Sequence, residues 1–386
     1  MIAVIADDFT GAAEIGGLAF SFGYKVAIIT NFKQVPEVDV LVVATDLRTF
    51  KAEVAAKESE RITLKLLELN PELIYKKIDS VLRGNIGVEL QSQMRISNKE
   101  RALVIPANPL LNRIIRNGVY YIEDKPLIES FFSKDNSFKN KSSNVVEILQ
   151  KDGVNNIVNL SHNEVLPKSG LIIGNVKNQQ DLSRWVKKID KNTVVSGASG
   201  FFGEIIKSRS SLKSTFNSNG FNKECKTIFI CGSNFPLSKK AVVDAKKQGA
   251  CVASMPDGIY FSQSVKPKLI DDWAIDIIKM FTNNNQVIVS VLQKPTEHSI
   301  SSTDLKATLG KVVKKVIDKT TINEILIEGG STAQSLVKAL SFDIFFPIQA
   351  IAPGVTRMKI GNKDHISLTM KPGSYEWPKT IWKFDK

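Results

Sequence analysis

"IAVIADDFTGAAEIG", residues 2–16, joins a short apolar strand to a helix of small residues through two adjacent carboxylates. The apolar residues Ile2–Ala6 suffice for a buried strand and are too few for a signal-peptide core or a membrane span. Asp7 and Asp8 follow where the strand ends, which is where ligands bind in open α/β sheets. Thr10 is placed to cap the helix, whose glycines and alanines permit close backbone approach. The stretch predicts a parallel α/β sheet with a functional edge at Asp7 and Asp8, unless the two residues only solubilise the strand end.

The composition is that of an ordinary globular protein. The chain has 386 residues, 43% hydrophobic and 24% charged, a length that favours two domains. No apolar run approaches the ~20 residues of a membrane helix. The three cysteines form no close pair of the metal or redox kind, which fits reduced thiols in a cytoplasm. The three histidines are too scattered to indicate a zinc site or a Ser-His-Asp triad.

The net charge of +13 arises from 52 basic and 39 acidic residues. Such a charge suits nucleic acid, an anionic membrane surface or a small anionic substrate. The lysines are spread along predicted helices and form no basic block with interleaved aromatic residues. We therefore expect a small anionic ligand, with no nucleic-acid or membrane partner.

Apolar strands alternate with helical segments along the whole chain, which predicts parallel sheets covered on both faces. A stretch rich in Ser, Lys and Asn, residues 207–226, marks the boundary between two domains, 1–215 and 216–386. Residues 133–144 are polar and are predicted to form an exposed loop. Predicted strands are Ile2–Ala6, Lys25–Ile29, Val40–Ala44, Leu73–Asp79, Ala102–Ile105, Thr227–Cys231, Val287–Val291 and Ile325–Glu328. Predicted helices of the first half are Ala12–Phe22, Lys51–Leu69 and Ile86–Arg95. The fold class predicted is α/β, with two Rossmann-like domains and mostly parallel sheets.

Several glycine-rich turns in the second half indicate nucleotide binding. Neither the P-loop nor the G-x-G-x-x-G dinucleotide pattern is present after the first strand. "EILIEGGSTAQSLVKAL" places Gly329, Gly330, Ser331 and Thr332 between a strand and a helix, whose N-terminus favours phosphate. "SGASG" and "CGSNF" repeat this arrangement. Any one of these turns could carry its glycine for packing alone.

A second polar cluster interrupts the apolar strand in "LIYKKIDSVLRGNIGVEL". The guanidinium of Arg83 is a planar fork that matches a carboxylate or phosphate, Gly84 permits close approach, and Asn85 can cap the next helix. The alternative, which assigns no function to these residues, is an edge strand whose lysines are solvated. The combination of residue types favours a site for an anionic polyol, formed by Lys76, Lys77, Asp79, Ser80, Arg83, Gly84 and Asn85.

These motifs, in this order, resemble the four-carbon acid sugar kinase family, once catalogued only as a domain of unknown function. The resemblance rests on "ADDFTGA", "KKIDSVLRGNIGVEL", "VIPANPLLNRIIRNGVYY", "SGASG", "CGS", "IEGGSTA", "APGV" and "MKPGSY", which span nearly the whole chain. It implies an N-terminal domain that binds the acid sugar and a C-terminal domain that binds ATP. It also implies phosphorylation, with Mg²⁺, of a C4 acid such as threonate, erythronate or 3-oxo-tetronate. Many relatives have an acidic residue at Ser331 and a hydroxyl residue at Val81, so the chain departs from the pattern there.

The resemblance assigns roles to the motif residues. Asp7 and Asp8 would be catalytic, one of them accepting the proton of the attacking hydroxyl. Arg83, with Lys76 or Lys77, would hold the substrate carboxylate. The nucleotide would be bound by Ser233, Gly329, Gly330, Ser331, Thr332, Gly354, Lys371 and Gly373. The metal ligands and the oligomeric state, a homo-oligomer being possible, stay open.

Two other functions compete with the kinase. One is an NAD-dependent hydroxy-acid dehydrogenase, which is disfavoured because two carboxylates at the end of the first strand would repel a pyrophosphate. The other is a sugar-acid-binding protein that uses the same pocket without turnover. Production of ADP from a panel of acid sugars separates these alternatives.

Overall fold

A computed structural model describes residues 1–134, 138, 140–220, 224–232, 236–262, 264–293, 296, 298–361, 363–373 and 375–384. The chain divides into two compact units, Met1–Ser214 and Thr215–Lys386. No helix in these described ranges is long and apolar enough to cross a membrane.

The N-terminal unit is built from parallel strands alternating with helices. Its strands are β1 (Ile2–Ala6), β2 (Val26–Ile29), β3 (Val40–Ala44), β4 (Leu73–Lys77), β5 (Arg101–Ile105), β6 (Arg113–Arg116), β7 (Val119–Ile122), β8 (Lys125–Pro126), β9 (Ile157–Leu160), β10 (Gly170–Gly174) and β11 (Thr193–Gly197). Its helices are α1 (Phe9–Ser21), α2 (Ala52–Leu67), α3 (Ile86–Ile96), α4 (Val145–Gln150), α5 (Gln179–Val186) and α6 (Ser199–Arg209). Short 3₁₀ turns are found at Leu47–Thr49, Pro109–Leu111, Leu127–Glu129 and Phe131–Lys134.

The main sheet of this unit has the strand order β2-β3-β1-β4-β11-β5-β10-β9, and every neighbouring pair is parallel. β1, β3 and β4 are buried throughout, as apolar strands covered on both faces should be. β6, β7 and β8 form a separate antiparallel sheet that the sequence pattern did not predict. The α/β fold with parallel strands is confirmed.

The C-terminal unit is also α/β. Its strands are β12 (Thr227–Cys231), β13 (Val252–Ser254), β14 (Gln286–Ser290), β15 (Glu324–Glu328), β16 (Ile344–Ala352), β17 (Val355–Ile360) and β18 (Lys363–Lys371). Its helices are α7 (Pro236–Lys247), α8 (Asp257–Tyr260), α9 (Pro267–Asn283), α10 (Ser302–Lys319) and α11 (Gly330–Ala339). The strand order is β13-β14-β12-β15-β18-β17-β16, parallel as far as β18 and antiparallel in β18-β17-β16. The antiparallel part was not predicted.

Two helix starts differ from the sequence-based expectation. α1 begins at Phe9, and its cap is Asp8, whose Oδ1 accepts a hydrogen bond from the Gly11 N–H at 2.8 Å. The expectation that Thr10 caps this helix is therefore wrong, because Thr10 lies inside the first turn. Asn85 stands at the cap position of α3 but makes no capping bond. Its amide instead donates to carbonyls in the segment after β3, as the next subsection describes.

Candidate functional site

The carboxyl ends of the central parallel strands of the N-terminal unit lie side by side. The register pairs Ala6 with Ala44 and with Lys77, and Gly197 with both Lys77 and Ile105. The loops that follow β3, β1, β4, β11 and β5 therefore begin at one edge of the sheet. This register brings together Asp7, Asp8, Asp79, Ser80 and Arg83, which the sequence places up to 76 residues apart.

Arg48, a residue that sequence reasoning missed, lies at the centre of this edge. Its Nε donates to Asp7 Oδ2 at 3.0 Å and its Nη2 to Asp7 Oδ1 at 3.0 Å. Its Nη1 donates to Asp8 Oδ2 at 3.1 Å, and Nη2 lies 3.4 Å from Asp79 Oδ1. One guanidinium thus holds three carboxylates from the loops after two neighbouring strands.

The electrostatics of the cluster favour the charged forms of Asp79 and Arg48. Burial alone would raise the pKa of Asp79, but Arg48 and Arg83 together hold it well below its ordinary value. Burial would likewise lower the pKa of Arg48, and Asp7, Asp79 and Asp8 outweigh it and raise that pKa well above the ordinary value. The Asp79 carboxylate and the Arg48 guanidinium are therefore charged at neutral pH.

Asp8 is the more accessible of the two adjacent carboxylates. Its side chain is 18% exposed, against 3% for Asp7. A Cβ at Gly11 would lie 2.8 Å from Asp8 Oδ1 and 3.1 Å from Lys77 Nζ. The small residue at the start of α1 therefore leaves room for the carboxylate and the ammonium group. Thr10 Oγ1 is buried here without a hydrogen-bond partner.

The two lysines of β4 point to opposite faces of the sheet, as the strand period of two requires. Lys76 is fully buried and forms an ion pair with Glu89 of α3. Burial raises the pKa of Glu89, against the attraction of Lys76. Lys77 instead lies beside α1, with its Nζ 3.9 Å from Glu14 Oε2 and donating to the Ile78 carbonyl at 3.0 Å. The lysines belong to a central strand, so the interpretation as a solvated edge strand is wrong, and Lys76 offers no group to solvent.

Arg83 is turned towards Asp79. Its Nε donates to Asp79 Oδ2 at 2.8 Å and its Nη2 to Oδ1 at 3.0 Å. Its backbone N–H donates to the same carboxylate at 3.1 Å. The edge of the guanidinium formed by Nε and Nη2 is therefore occupied by a protein carboxylate.

Gly84 and Asn85 hold the segment that carries Arg48. Gly84 has φ +99°, and a Cβ there would lie 3.2 Å from the Arg48 Cα, so only glycine allows the two loops to pass so closely. The Asn85 amide donates to the carbonyls of Leu47 at 3.0 Å and Phe50 at 2.9 Å. Both residues thereby position the 3₁₀ turn that presents the Arg48 guanidinium.

The C-terminal unit has a comparable edge. The register pairs Cys231 with Glu328 and Glu328 with Lys371, so the turns after β12, β15 and β18 begin together. Gly329 has φ +91°, and a Cβ there would meet nothing within 4 Å. Gly330 and Ser331 then open α11, and Ser331 is exposed. An open glycine turn at a helix N-terminus leaves backbone N–H groups accessible and is suited to bind a phosphate.

Of the other predicted nucleotide residues, Thr332 is buried in the first turn of α11. Lys371 is buried, with its Nζ 3.3 Å from Glu328 Oε2 and donating to the Tyr375 carbonyl at 2.6 Å. Burial lowers the pKa of Lys371. Gly354, with φ +74°, forms the turn between β16 and β17, where a Cβ would come within 2.6 Å of the Tyr375 ring. The Gly373 carbonyl lies 3.4 Å from Ser238 Oγ, whereas Ser233 is outside the described residues.

Within the described part of the chain, no group of three or more His, Cys, Asp or Glu side chains is arranged to hold a metal ion. A signal that could have identified Arg48 is its place in the chain, four residues after the last residue of β3. Once β3 is paired with β1, any charged residue there must lie near Asp7. The sequence does not show that pairing.

Comparison with known proteins identifies both halves of the chain. A family described as a sugar-binding N-terminal domain matches residues 2–205, and one described as a nucleotide-binding C-terminal domain matches residues 230–375. A structure from Salmonella typhimurium LT2 superimposes with a TM-score of 0.78 at 17% identity, covering 99% of this chain and 97% of its own. A Haemophilus influenzae protein of a domain-of-unknown-function family superimposes with a TM-score of 0.72 at 20% identity, covering 97% of each chain. At these identities the likeness shows the fold alone.

Three relatives carry names of kinases. A D-threonate kinase of Salmonella typhimurium is 36% identical over 38% of this chain and 35% of its own length. A D-erythronate kinase of Heliobacterium modesticaldum is 32% identical over 35% of this chain and 32% of its own. A 3-oxo-tetronate kinase of Brucella melitensis is 21% identical over 97% of this chain and 92% of its own. The alignments thus span about one third of the length of the first two relatives. Because the family models match both halves of the chain, the chain belongs to the four-carbon acid sugar kinase family, whose members were first grouped as a domain of unknown function.

Proposed function

We propose that this chain is an ATP-dependent kinase that phosphorylates a four-carbon acid sugar at a hydroxyl group. The observation that carries the proposal is the cluster of Asp7, Asp8 and Asp79 around Arg48 at the carboxyl edge of a parallel sheet. It is supported by the family membership and by relatives named for threonate, erythronate and 3-oxo-tetronate. Carboxylates at this edge suit the hydroxyl groups of a polyol, which they can orient and deprotonate.

Asp8 is the residue that we propose as the proton acceptor. Its side chain is the more exposed of the pair, whereas both oxygens of Asp7 are bound by Arg48. The hydrogen bond from the Gly11 N–H to Asp8 Oδ1 and the one from Arg48 to Oδ2 fix the orientation of the carboxylate. A fixed carboxylate aligns the attacking hydroxyl and takes its proton as the phosphoryl group is transferred.

The nucleotide belongs in the C-terminal unit. The N–H groups at the start of α11, from Gly330 and Ser331, would bind phosphate oxygens beside the open turn at Gly329. Lys371 fixes the following loop through its hydrogen bond to the Tyr375 carbonyl. ATP with Mg²⁺ supplies the phosphoryl group and the cation that neutralises the phosphate charge.

The test is ADP production by the full-length chain in a coupled assay. The panel contains D- and L-threonate, D- and L-erythronate and 3-oxo-tetronates, with the neutral tetritols as matched controls. We expect ADP with at least one acid and little with the tetritols, and loss of that activity in Asp8→Asn. Binding of an acid without ADP formation would show that the chain is a sugar-acid-binding protein and not a kinase. Reduction of NAD in the presence of an acid would show that the chain is a dehydrogenase and not a kinase.

A further inference from the structure

Arg113, the first residue of β6, is a buried guanidinium without a carboxylate partner. The residue is 9% exposed, its Nη1 donates to Ser80 Oγ, and its Cζ lies 5.2 Å from the centroid of the Phe132 ring. Its Nε is buried and has no hydrogen-bond partner. Among the residues that the structure describes, no carboxylate lies within ion-pair distance of it.

This lack of a counter-charge separates Arg113 from its neighbours. The other buried or half-buried cations of the sheet edge are each paired with a carboxylate: Arg48, Lys76, Lys77 and Arg83. Burying a charge without a partner costs several kcal/mol of folding free energy. Such a charge is therefore expected where a bound ligand supplies the opposite charge. Asn108 Oδ1, in the loop that leads to Arg113, is also buried without a partner.

Arg113 belongs to the same edge as the carboxylate cluster. Its N–H donates to the Asn108 carbonyl at 3.1 Å, in the loop that follows β5, and its Nη1 reaches Ser80, in the loop that follows β4. The hydroxyl of Tyr120 donates to the Ser80 carbonyl at 2.6 Å. Burial raises the pKa of Tyr120, and Arg113 and Asp79 act on that pKa in opposite directions. Arg113 therefore lies near the proposed substrate hydroxyl site and is distinct from it.

We propose that Arg113, rather than Arg83, binds the carboxylate of the acid sugar. The identity of the ligand as an acid sugar rests on the proposed function. A carboxylate bound to the guanidinium gives the buried charge its partner, and the bond to Ser80 holds Nη1 in place. Arg83 cannot offer the same fork, because Asp79 already accepts from its Nε and Nη2. Arg113 at the acid end and Asp8 at the hydroxyl end would then fix the direction in which the substrate binds.

The test compares Arg113→Gln with Arg83→Gln and with the matched control Arg116→Gln. Arg116 lies in the same strand, but its side chain is 41% exposed and packs on the Tyr121 ring. Each protein is titrated calorimetrically, without ATP, with the acid that wild type turns over best and with the amide of that acid. If wild type turns over none, the titrants are D-erythronate, D-threonate and their amides.

Arg113→Gln should bind the acid roughly 10- to 100-fold more weakly and bind the amide nearly as wild type does, because it loses one charge-assisted interaction. Arg116→Gln should keep the full preference for the acid, as should Arg83→Gln. The KM for ATP should not change in Arg113→Gln, and its Tm should not fall, because an unpaired buried charge has been removed. If Arg113→Gln does not fold, the same titration is done with Arg113→Lys. This variant should bind the acid more weakly than wild type.

The outcomes separate this inference from the proposed function. Full preference for the acid in Arg113→Gln, or its loss only in Arg83→Gln, overturns the assignment of Arg113 even if the protein is a kinase. Binding of an acid that depends on Arg113, without any ADP formation by wild type, supports the assignment and overturns the kinase. No binding of any acid by wild type overturns both.

Discussion

Arg48 binds Asp7 through two parallel hydrogen bonds, Nε to Oδ2 and Nη2 to Oδ1, each 3.0 Å long. The same guanidinium extends to Asp8 and Asp79, so it joins the loops that follow β1 and β4. Lysine could not replace it, because an ammonium group lacks the planar fork that meets two oxygens of one carboxylate. Arg48 is thus a positioning residue for the carboxylates on which the proposed chemistry depends.

Removal of Arg48 should destabilise the fold and lower activity together. Arg48→Ala leaves Asp7 and Asp79 buried with less compensation, so we expect the free energy of unfolding in urea to fall by about 3–5 kcal/mol. The matched control is Arg61→Ala, which removes an exposed pair with Glu58 and should cost less than about 1 kcal/mol. Equal effects of the two substitutions would show that the cluster does not stabilise the fold. In Arg48→Lys, we expect partial recovery of stability and kcat still below wild type.

Asp8→Asn should reduce kcat without unfolding the protein. Asparagine caps helices about as well as aspartate, so the bond from the Gly11 N–H to Oδ1 is retained. Loss of the proton acceptor should lower kcat roughly 10²- to 10⁴-fold and leave the KM for ATP near its wild-type value. Asp7→Asn, measured in parallel, should lose more stability than Asp8→Asn because its carboxylate is bound twice by Arg48. Near-normal turnover in Asp8→Asn would remove this residue from the proposed mechanism.

Gly329→Ala should weaken ATP binding without affecting the acid. The new methyl group stands at the open turn before α11 and hinders the approach of a phosphate, so the KM for ATP should rise on the order of tenfold. Gly153→Ala is a matched control, because Gly153 also has positive φ, +79°, and a Cβ there would likewise meet nothing within 4 Å. Both variants place a side chain at a positive φ, which L residues rarely adopt, and so both incur backbone strain. Only Gly329→Ala should change the KM for ATP, and an equal change in both would assign the effect to strain.

The stability contributed by Asp79 should depend on pH in one direction. Because its folded pKa lies below its unfolded value, near 3.9, the contribution is complete above that value and is lost as the pH falls towards the folded pKa. Urea denaturation of wild type and Asp79→Asn should therefore differ most near pH 7, and the difference should begin to shrink below about pH 4 and keep shrinking as the pH falls towards the folded pKa. Glu89, whose pKa is raised, contributes the opposite trend to both proteins, so their difference isolates Asp79. A difference that is constant with pH would contradict the assignment.

Local patterns predicted much of the fold. β1 and β3 have the predicted bounds, Ile2–Ala6 and Val40–Ala44, because a run of apolar residues that ends in Asp or Thr is a signal contained in the run itself. The same reasoning was wrong about the caps of α1 and α3, since Asp, Thr and Asn can all cap and only the folded backbone selects among them. The prediction relied on strands that alternate with helices. The antiparallel strands β16–β18 were missed because they follow one another without a helix between them.

What the sequence by itself determined is therefore the alternation of apolar strands with helices, and the presence of Asp7 and Asp8 immediately after a strand. Only the tertiary structure decided which charges meet. The pairing of β3 and β4 with β1 brought Arg48 onto Asp7, and the central place of β4 buried Lys76 against Glu89. The contact between Arg113 in β6 and Ser80 in the loop after β4 joins residues that are 33 positions apart in the sequence. The physical reason is that an ion pair depends on distances of about 3–4 Å, and strand register sets these distances between residues that no local pattern connects.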